Sequence, residues 1–163
     1  MTVGPIAPDD PLFGPVGELF DAYRAHYGQD RSPHATRRWL GEQVAGGRLR
    51  VAAAAEAGEA HGLITTTVVP ASLTLRTVWM IRDLYVDPAR RRSGVARALL
   101  RHVAEAARAE GAHRLSLQTE TGNTAALRLY ESAGFLPVEG LELLNHPLRP
   151  AEEHPSHQDG RRR

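Results

Sequence analysis

The chain contains no cysteine, and its twenty basic residues are all arginine. Without cysteine there is no disulfide, no thiolate zinc site and no cysteine nucleophile, and the redox compartment stays open. Without lysine the Gly-Lys-Ser/Thr step of a P-loop cannot be built. No Gly-x-Gly-x-x-Gly string follows a first strand, so the dinucleotide fingerprint is missing too. Long apolar runs are also lacking. Stretches such as Val51 to Ala55 fall far short of the roughly 20 residues that span a bilayer. Charge of one sign is not in excess: 20 basic residues face 19 acidic ones, a net charge of +1. Global charge therefore gives no reason to expect nucleic acid or an anionic membrane as partner. The opening MTVGPIAPDD has neither a basic region nor an apolar run, so it does not read as a secretory signal. The expectation is a soluble cytoplasmic protein. Arginine for every basic residue, with abundant Ala, Gly and Pro, suggests a high-GC bacterial source.

What is present fits one domain. At 163 residues and 42% hydrophobic, the chain can bury a substantial core. Residues 1–10 are polar and proline-rich and read as a loose lead-in. Val16, Leu19, Phe20 and Tyr23 have helical spacing, and 34–45 reads as a second helix ended by Gly46-Gly47. Residues 49–55 and 62–69 read as paired strands, and 74–86 as a third. Val95, Leu99, Val103 and Ala106 place an apolar stripe on a helix that Gly111 stops. A strand at 114–119, a helix at 124–133 and a weak strand pair within 136–148 complete the order. The domain is expected over 1–149. Residues 150–163 lack apolar periodicity and read as a disordered tail, with His154 and His157 as ordinary tail residues.

Two strings carry the chemistry. The first is Ile81 to Leu100, IRDLYVDPARRRSGVARALL. A strand-like run meets Asp87-Pro88, a basic turn follows, and a helix starts directly after Gly94. The first N–H groups of a helix have no internal acceptor, and the dipole adds about half a positive charge there. Such a turn can cradle a diphosphate, with Arg90, Arg91 and Arg92 adding charge; an ordinary solvated basic turn is the alternative. The second string is Leu115 to Phe135, LSLQTETGNTAALRLYESAGF: strand, turn, cap cluster and a helix ended by Gly134.

Leu84-Tyr85-Val86-Asp87-Pro88 followed by Arg91-x-x-Gly94-x-Ala96 resembles the acetyl-CoA loop of the GNAT superfamily of N-acetyltransferases. Asn123, Ala126, Tyr130, Gly134 and Phe135 resemble that superfamily's companion motif, in the same order and rough spacing. The resemblance is sharp from 78 to 136. It implies an α/β (α+β) fold: a mixed, strongly twisted sheet of six to seven strands flanked by about four helices. It implies acetyl-CoA as co-substrate, with no metal. Backbone groups across Arg91, Arg92, Ser93, Gly94, Val95, Ala96 and Arg97 would bind the pyrophosphate. Leu84, Tyr85 and Val86 would contact pantetheine, with the Val86 N–H as oxyanion donor, and Asn123 and Ala126 would line the same channel. Asp83 stands where many members carry a glutamate base, and Tyr130 matches the general acid.

The residues themselves leave alternatives open. Asp83 could instead form an ion pair with Arg82 or Arg114. Tyr130 could be a core aromatic, and Asn123 a helix cap. Side-chain alternation puts Trp79, Ile81, Asp83 and Tyr85 on one face unless a bulge intervenes. Tyr23, Tyr27, Trp79, Asp83, Tyr85 and Glu120 are candidates for the acceptor pocket, because aromatic rings and carboxylates suit an ammonium group. His26 and His34 are alternative bases, whereas His61, His102 and His113 read as surface positions. The expected reaction is direct transfer to a primary amine of a small molecule. A protein or peptide acceptor, and a non-catalytic acyl-CoA-sensing module, are the rivals. A homodimer is possible.

Overall fold

The computed structural model describes residues 1–148. The tail expected at 150–163 lies outside the described residues. Five strands form one sheet in sequence order: β1 (Thr2–Pro5), β2 (Arg50–Glu56), β3 (Glu59–Ala71), β4 (Arg76–Val86) and β5 (Arg114–Ser116). The first four pair antiparallel, and β5 joins β4 in parallel. The α-helices are α1 (Phe13–His26), α2 (Pro33–Ala45), α3 (Val95–Ala109) and α4 (Thr124–Ser132).

The helices cover both sheet faces, and strand alternation sorts the core accordingly. Val51 and Ala53 of β2, Leu63 of β3 and Tyr85 of β4 pack with Val16, Phe20 and Leu40 of α1 and α2. Ala52, Ala54, Ile64, Trp79 and Ile81 pack on the other face with Val95, Leu99, Leu100 and Val103 of α3. The alanine run of β2 is buried on both faces, which lets helices approach closely from each side.

Two expectations about strands are corrected. The opening is not a loose lead-in: β1 pairs with β2 from Thr2↔Ala55 to Pro5↔Ala52. Pro5 is tolerated because β1 is the edge of the sheet, where a missing N–H costs little. The sheet has five strands among the described residues rather than six or seven. Residues 136–148 form no strand, and Leu136, Val138, Leu141, Leu143 and Leu144 are exposed, so no buried face holds that segment in register.

Candidate active site

One inserted residue sets up the site. In the β3–β4 ladder Thr65 pairs with Asp83 and Thr66 with Ile81, so Arg82 is an extra residue on β4. A bulge of this kind turns the rest of the strand over. Before it, Trp79 and Ile81 face α3; after it, Asp83 and Tyr85 face α1 and α2, while Leu84 and Val86 face α3. Trp79 is therefore removed from the acceptor pocket. It is 4% exposed, packed in the α3 core with the Arg50 guanidinium 4.5 Å from its ring centroid.

The second feature is a split in the sheet. β4 and β5 pair only at Val78↔Arg114, Trp79↔Leu115 and Met80↔Ser116. Past Met80 no further pairing joins them among the described residues. A cleft of about 910 Å³ opens there, bounded by Leu84, Tyr85 and Val86 on one side and Gln118, Thr119 and Glu120 on the other. That size suits a large small-molecule ligand.

The start of α3 forms one end of this cleft. Arg92 and Gly94 both adopt left-handed backbone, with φ of 61° and 85°. That sequence curls successive N–H groups toward one side, a geometry that favours anions. α3 carries no side-chain cap and no acidic residue in its first turn. Its N–H groups and dipole are thus left to whatever occupies the cleft. No atom lies within 4 Å of where a Gly94 Cβ would be, so the space in front of the loop is open. Gly94, Val95, Ala96 and Arg97 line the cleft, as do Arg91 and Arg92. Ser93 does not line it; its hydroxyl donates to the Arg90 carbonyl at 2.5 Å and closes the turn from behind. A CoA diphosphate fits this open, uncapped, arginine-rimmed turn.

Sequence reasoning missed Gly62, which lies beneath the turn. A Cβ there would stand 2.7 Å from Val95 Cγ1 and 3.1 Å from both Leu99 Cδ1 and the Tyr85 carbonyl. The absent side chain lets α3 seat its first turn on β3 beside the end of β4. His61, expected at the surface, is buried at the β2–β3 register shift, where Ala54 pairs with Gly62 and Ala55 with Ala60.

α4 supplies the opposite wall. Asn123 caps it by accepting from the Ala126 N–H at 3.1 Å, and both residues line the cleft. Tyr130 lies one turn further along, half-buried, with its ring edge-on to Phe135 at 5.8 Å. Burial, and secondarily the nearby Tyr27, raise its phenol above the ordinary value of 10.0. Tyr130 is therefore a protonated donor at neutral pH. Tyr27, His26 and Glu120 also reach the cleft.

Asp83 does not open on this cleft. It opens on a second cavity, of about 580 Å³, between β4 and the α1–α2 pair. Its carboxylate accepts from the Thr65 hydroxyl, with the Tyr23 phenol nearby and no ion pair to Arg82 or Arg114. Burial, then the charge of Asp83, pushes Tyr23 far above the usual tyrosine value. Tyr23 lines both cavities and is the wall they share. His34 lines neither.

Among the described residues no helix is long and apolar enough to cross a membrane, and no cluster of three or more acidic or histidine side chains could hold a metal. The acetyltransferase (GNAT) family model matches residues 16–135. An uncharacterized N-acetyltransferase of Bacillus subtilis, YhfO, is 29% identical over 120 residues, 74% of this chain and 80% of that protein. The ribosomal protein bS18-alanine N-acetyltransferase of Escherichia coli K12 is 42% identical over 53 residues, 32% of this chain and 36% of that one. The solved structure of a probable acetyltransferase superposes with a TM-score of 0.84 at 27% identity, covering 91% of this chain and 99% of that one. The chain belongs to the GNAT family of acetyl-CoA-dependent N-acetyltransferases.

Proposed function

We propose that the protein moves the acetyl group of acetyl-CoA to a primary amine of a small molecule, by direct attack in a ternary complex. The observation that carries this reading is the pair of cavities meeting at Tyr23, with Asp83 on one side and Tyr130 on the other. The cleft is shaped for the thioester donor, and the smaller cavity for the acceptor.

The split between β4 and β5 gives pantetheine a path past Leu84, Tyr85 and Val86. The start of α3 would hold the diphosphate. An alkylammonium has an ordinary pKa of about 10.4, so its proton must be removed first. Asp83 takes that proton, directly or through one water, and passes it to solvent. The amine nitrogen then attacks the thioester carbonyl. The Val86 N–H is the donor offered to the oxyanion. As the C–S bond breaks, the nitrogen loses its second proton to Asp83, which has already released the first to solvent, and the thiolate gains one from Tyr130, which is reprotonated from water. Holding both reactants in line can supply roughly 7–11 kcal/mol of the barrier reduction when alignment is good.

The test is Asp83→Asn across a pH series. We expect kcat to fall about 10²-fold or more near neutrality, the usual reach of a general base. The deficit should shrink as pH rises and free amine accumulates, with acetyl-CoA affinity unchanged. A deficit that is constant with pH and accompanied by a lower melting temperature would make Asp83 a structural residue.

A further inference from the structure

The acceptor cavity has a chemistry of its own, unlike that of the cleft. Its walls carry three aromatic rings, Phe20, Tyr23 and Trp39, with Asp83 as the sole carboxylate among the described residues that line it. Trp39 is 47% exposed, a large apolar surface left open to water. It is nevertheless fixed. Its ring lies parallel to that of the buried Phe20, 6.2 Å between centroids and 9° between planes. Phe20 in turn leans on Tyr23 at 5.7 Å. The result is a continuous aromatic surface running from the mouth of the cavity toward the Tyr23–Asp83 pair.

Charge narrows the occupant further. Among the described residues Arg24 is the sole cation on the wall, and it is engaged: Nη1 donates to Thr36 Oγ1 at 2.9 Å and to Asp21 Oδ1 at 3.3 Å. Asp83 keeps capacity for another donor, since a carboxylate has about four acceptor positions and Thr65 uses one. One ammonium can be neutralised here. A polycation cannot. Each additional positive charge on a ligand in this cavity would find no second carboxylate among the described residues that line it.

We propose that this cavity is a subsite for a monocationic acceptor carrying its primary amine on a short arm from a flat aromatic ring. The ring stacks on Trp39, backed by Phe20, and the ammonium reaches Asp83 beside the Tyr23 ring, where cation–π attraction adds to the carboxylate's pull. Such a ligand is smaller than the 580 Å³ available. The inference rests on the acetyl-transfer reading, which assigns this cavity to the acceptor.

Benzylamine, phenethylamine and 3-phenylpropylamine span the arm lengths to test. Spermidine and a short alanine-starting peptide represent the polycation and peptide alternatives. The chain has two tryptophans, and Trp79 is buried in the α3 core. Quenching of indole fluorescence by an added amine therefore reports on Trp39 without any need for turnover. We expect saturable quenching by at least one arylalkylamine, abolished in Trp39→Leu, which keeps apolar bulk but loses the flat face. Its KM for acetylation should rise about tenfold in that variant, roughly the loss of one aromatic stack. Acetyl-CoA affinity by calorimetry and the melting temperature should stay near wild type. Saturable quenching without any release of CoA, in protein that binds acetyl-CoA, would leave the aromatic subsite standing and sink the transfer reading. The subsite itself is overturned if none of the three amines quenches, if Trp39→Leu leaves KM unchanged, or if spermidine or the peptide has the higher kcat/KM.

Discussion

Asp21→Asn tests how the acceptor side of the site is held. Asp21 lies on α1 and is 0% exposed. Its Oδ1 accepts from the Ser32 N–H at 3.0 Å, Thr36 Oγ1 at 2.7 Å and Arg24 Nη1 at 3.3 Å. Its Oδ2 accepts from Arg31 Nε at 2.5 Å. Ser32 begins α2 with no side-chain cap of its own, so a carboxylate from the neighbouring helix serves that first turn. Asparagine has the same shape, but whichever way it turns, its NH₂ faces a donor: Arg31 on one side, or Ser32 and Thr36 on the other. Hydrogen bonds to a charged group contribute about 1.5–3 kcal/mol each. The side chains of Arg24 and Arg31 are 33% and 52% exposed and regain water when released, which discounts their share. The net cost is about 2–4 kcal/mol. For a chain of this size that lowers the melting temperature by about 5–15 °C.

The pH dependence has a definite sign. Burial alone would raise the Asp21 carboxyl, but hydrogen bonds from the Ser32 N–H, Thr36 and Arg31, with the charge of Arg31, hold it below the ordinary 3.8. A carboxyl depressed on folding stabilises above its unfolded value, and that contribution fades as pH falls through the folded one. The gap between wild type and Asp21→Asn should therefore be flat from neutral pH to about pH 4 and narrow only below. Ser32 and Thr36 line the cavity proposed for the acceptor, so the acceptor KM should rise while acetyl-CoA affinity holds. Thermal melts at several pH values, with steady-state kinetics at 20 °C below the variant's midpoint, are the assay. A midpoint within 1 °C of wild type, or a gap that closes between pH 7 and pH 5, would refute the argument.

Three further outcomes are expected. Gly62→Val should destabilise by about 1–3 kcal/mol through overpacking, and calorimetry should show acetyl-CoA affinity reduced more than tenfold as Val95 is pushed off the sheet; unchanged affinity would mean that the seat of α3 does not set the anion site. Gly94→Val places a branched residue at φ 85° in front of the cleft, so CoA affinity should fall more than tenfold with little loss of the α3 core, and a folded variant with full affinity would move the diphosphate elsewhere. Tyr130→Phe keeps the ring against Phe135, so melting should barely change while kcat drops at least tenfold. The alkaline limb governed by Tyr130 should lie above pH 10, because its phenol is raised from 10.0.

How much of this was legible in the sequence depended on how local the physics is. The turn from Asp87 to Gly94 and the capped helix after Asn123 are short-range structures, encoded by residues a few positions apart, and both form as read. The apolar stripe of α3 is likewise local and buries Val95, Leu99 and Val103. Features that depend on a distant partner were not readable. β1 holds a glycine and a proline and becomes a strand because β2 offers an unpaired edge. Asp21 looks like an ordinary polar residue in an amphipathic helix, and its value comes from Arg31, Ser32 and Thr36 across the connector. Gly62 carries no signal until Val95 is seen above it. The strand pair expected in 136–148 had the right residue types but no face to bury them against.

The bulge at Arg82 shows why such non-local features decide the chemistry. Strand side chains alternate strictly, so a one-residue slip exchanges the two faces of everything beyond it. Were Arg82 paired within the ladder instead of bulged, Asp83 would follow Trp79 and Ile81 into the α3 core, among Leu99, Leu100 and Val103. A carboxylate there would have no donor and would be neutral or destabilising. Tyr85 would be lost from the α1 side, where it now packs against Tyr23 at 5.6 Å. With the slip, the apolar half of β4 anchors α3, and so positions the cradle, while the polar half presents Asp83 to the acceptor cavity. One strand can then present Leu84 and Val86 to one face and Asp83 and Tyr85 to the other. What makes this possible is that Arg82 stands outside the ladder. Arg82→Ala keeps the residue outside the ladder and should accordingly leave the register and the melting temperature near wild type; a melting temperature lowered by more than a few degrees would mean that the guanidinium itself holds the bulge.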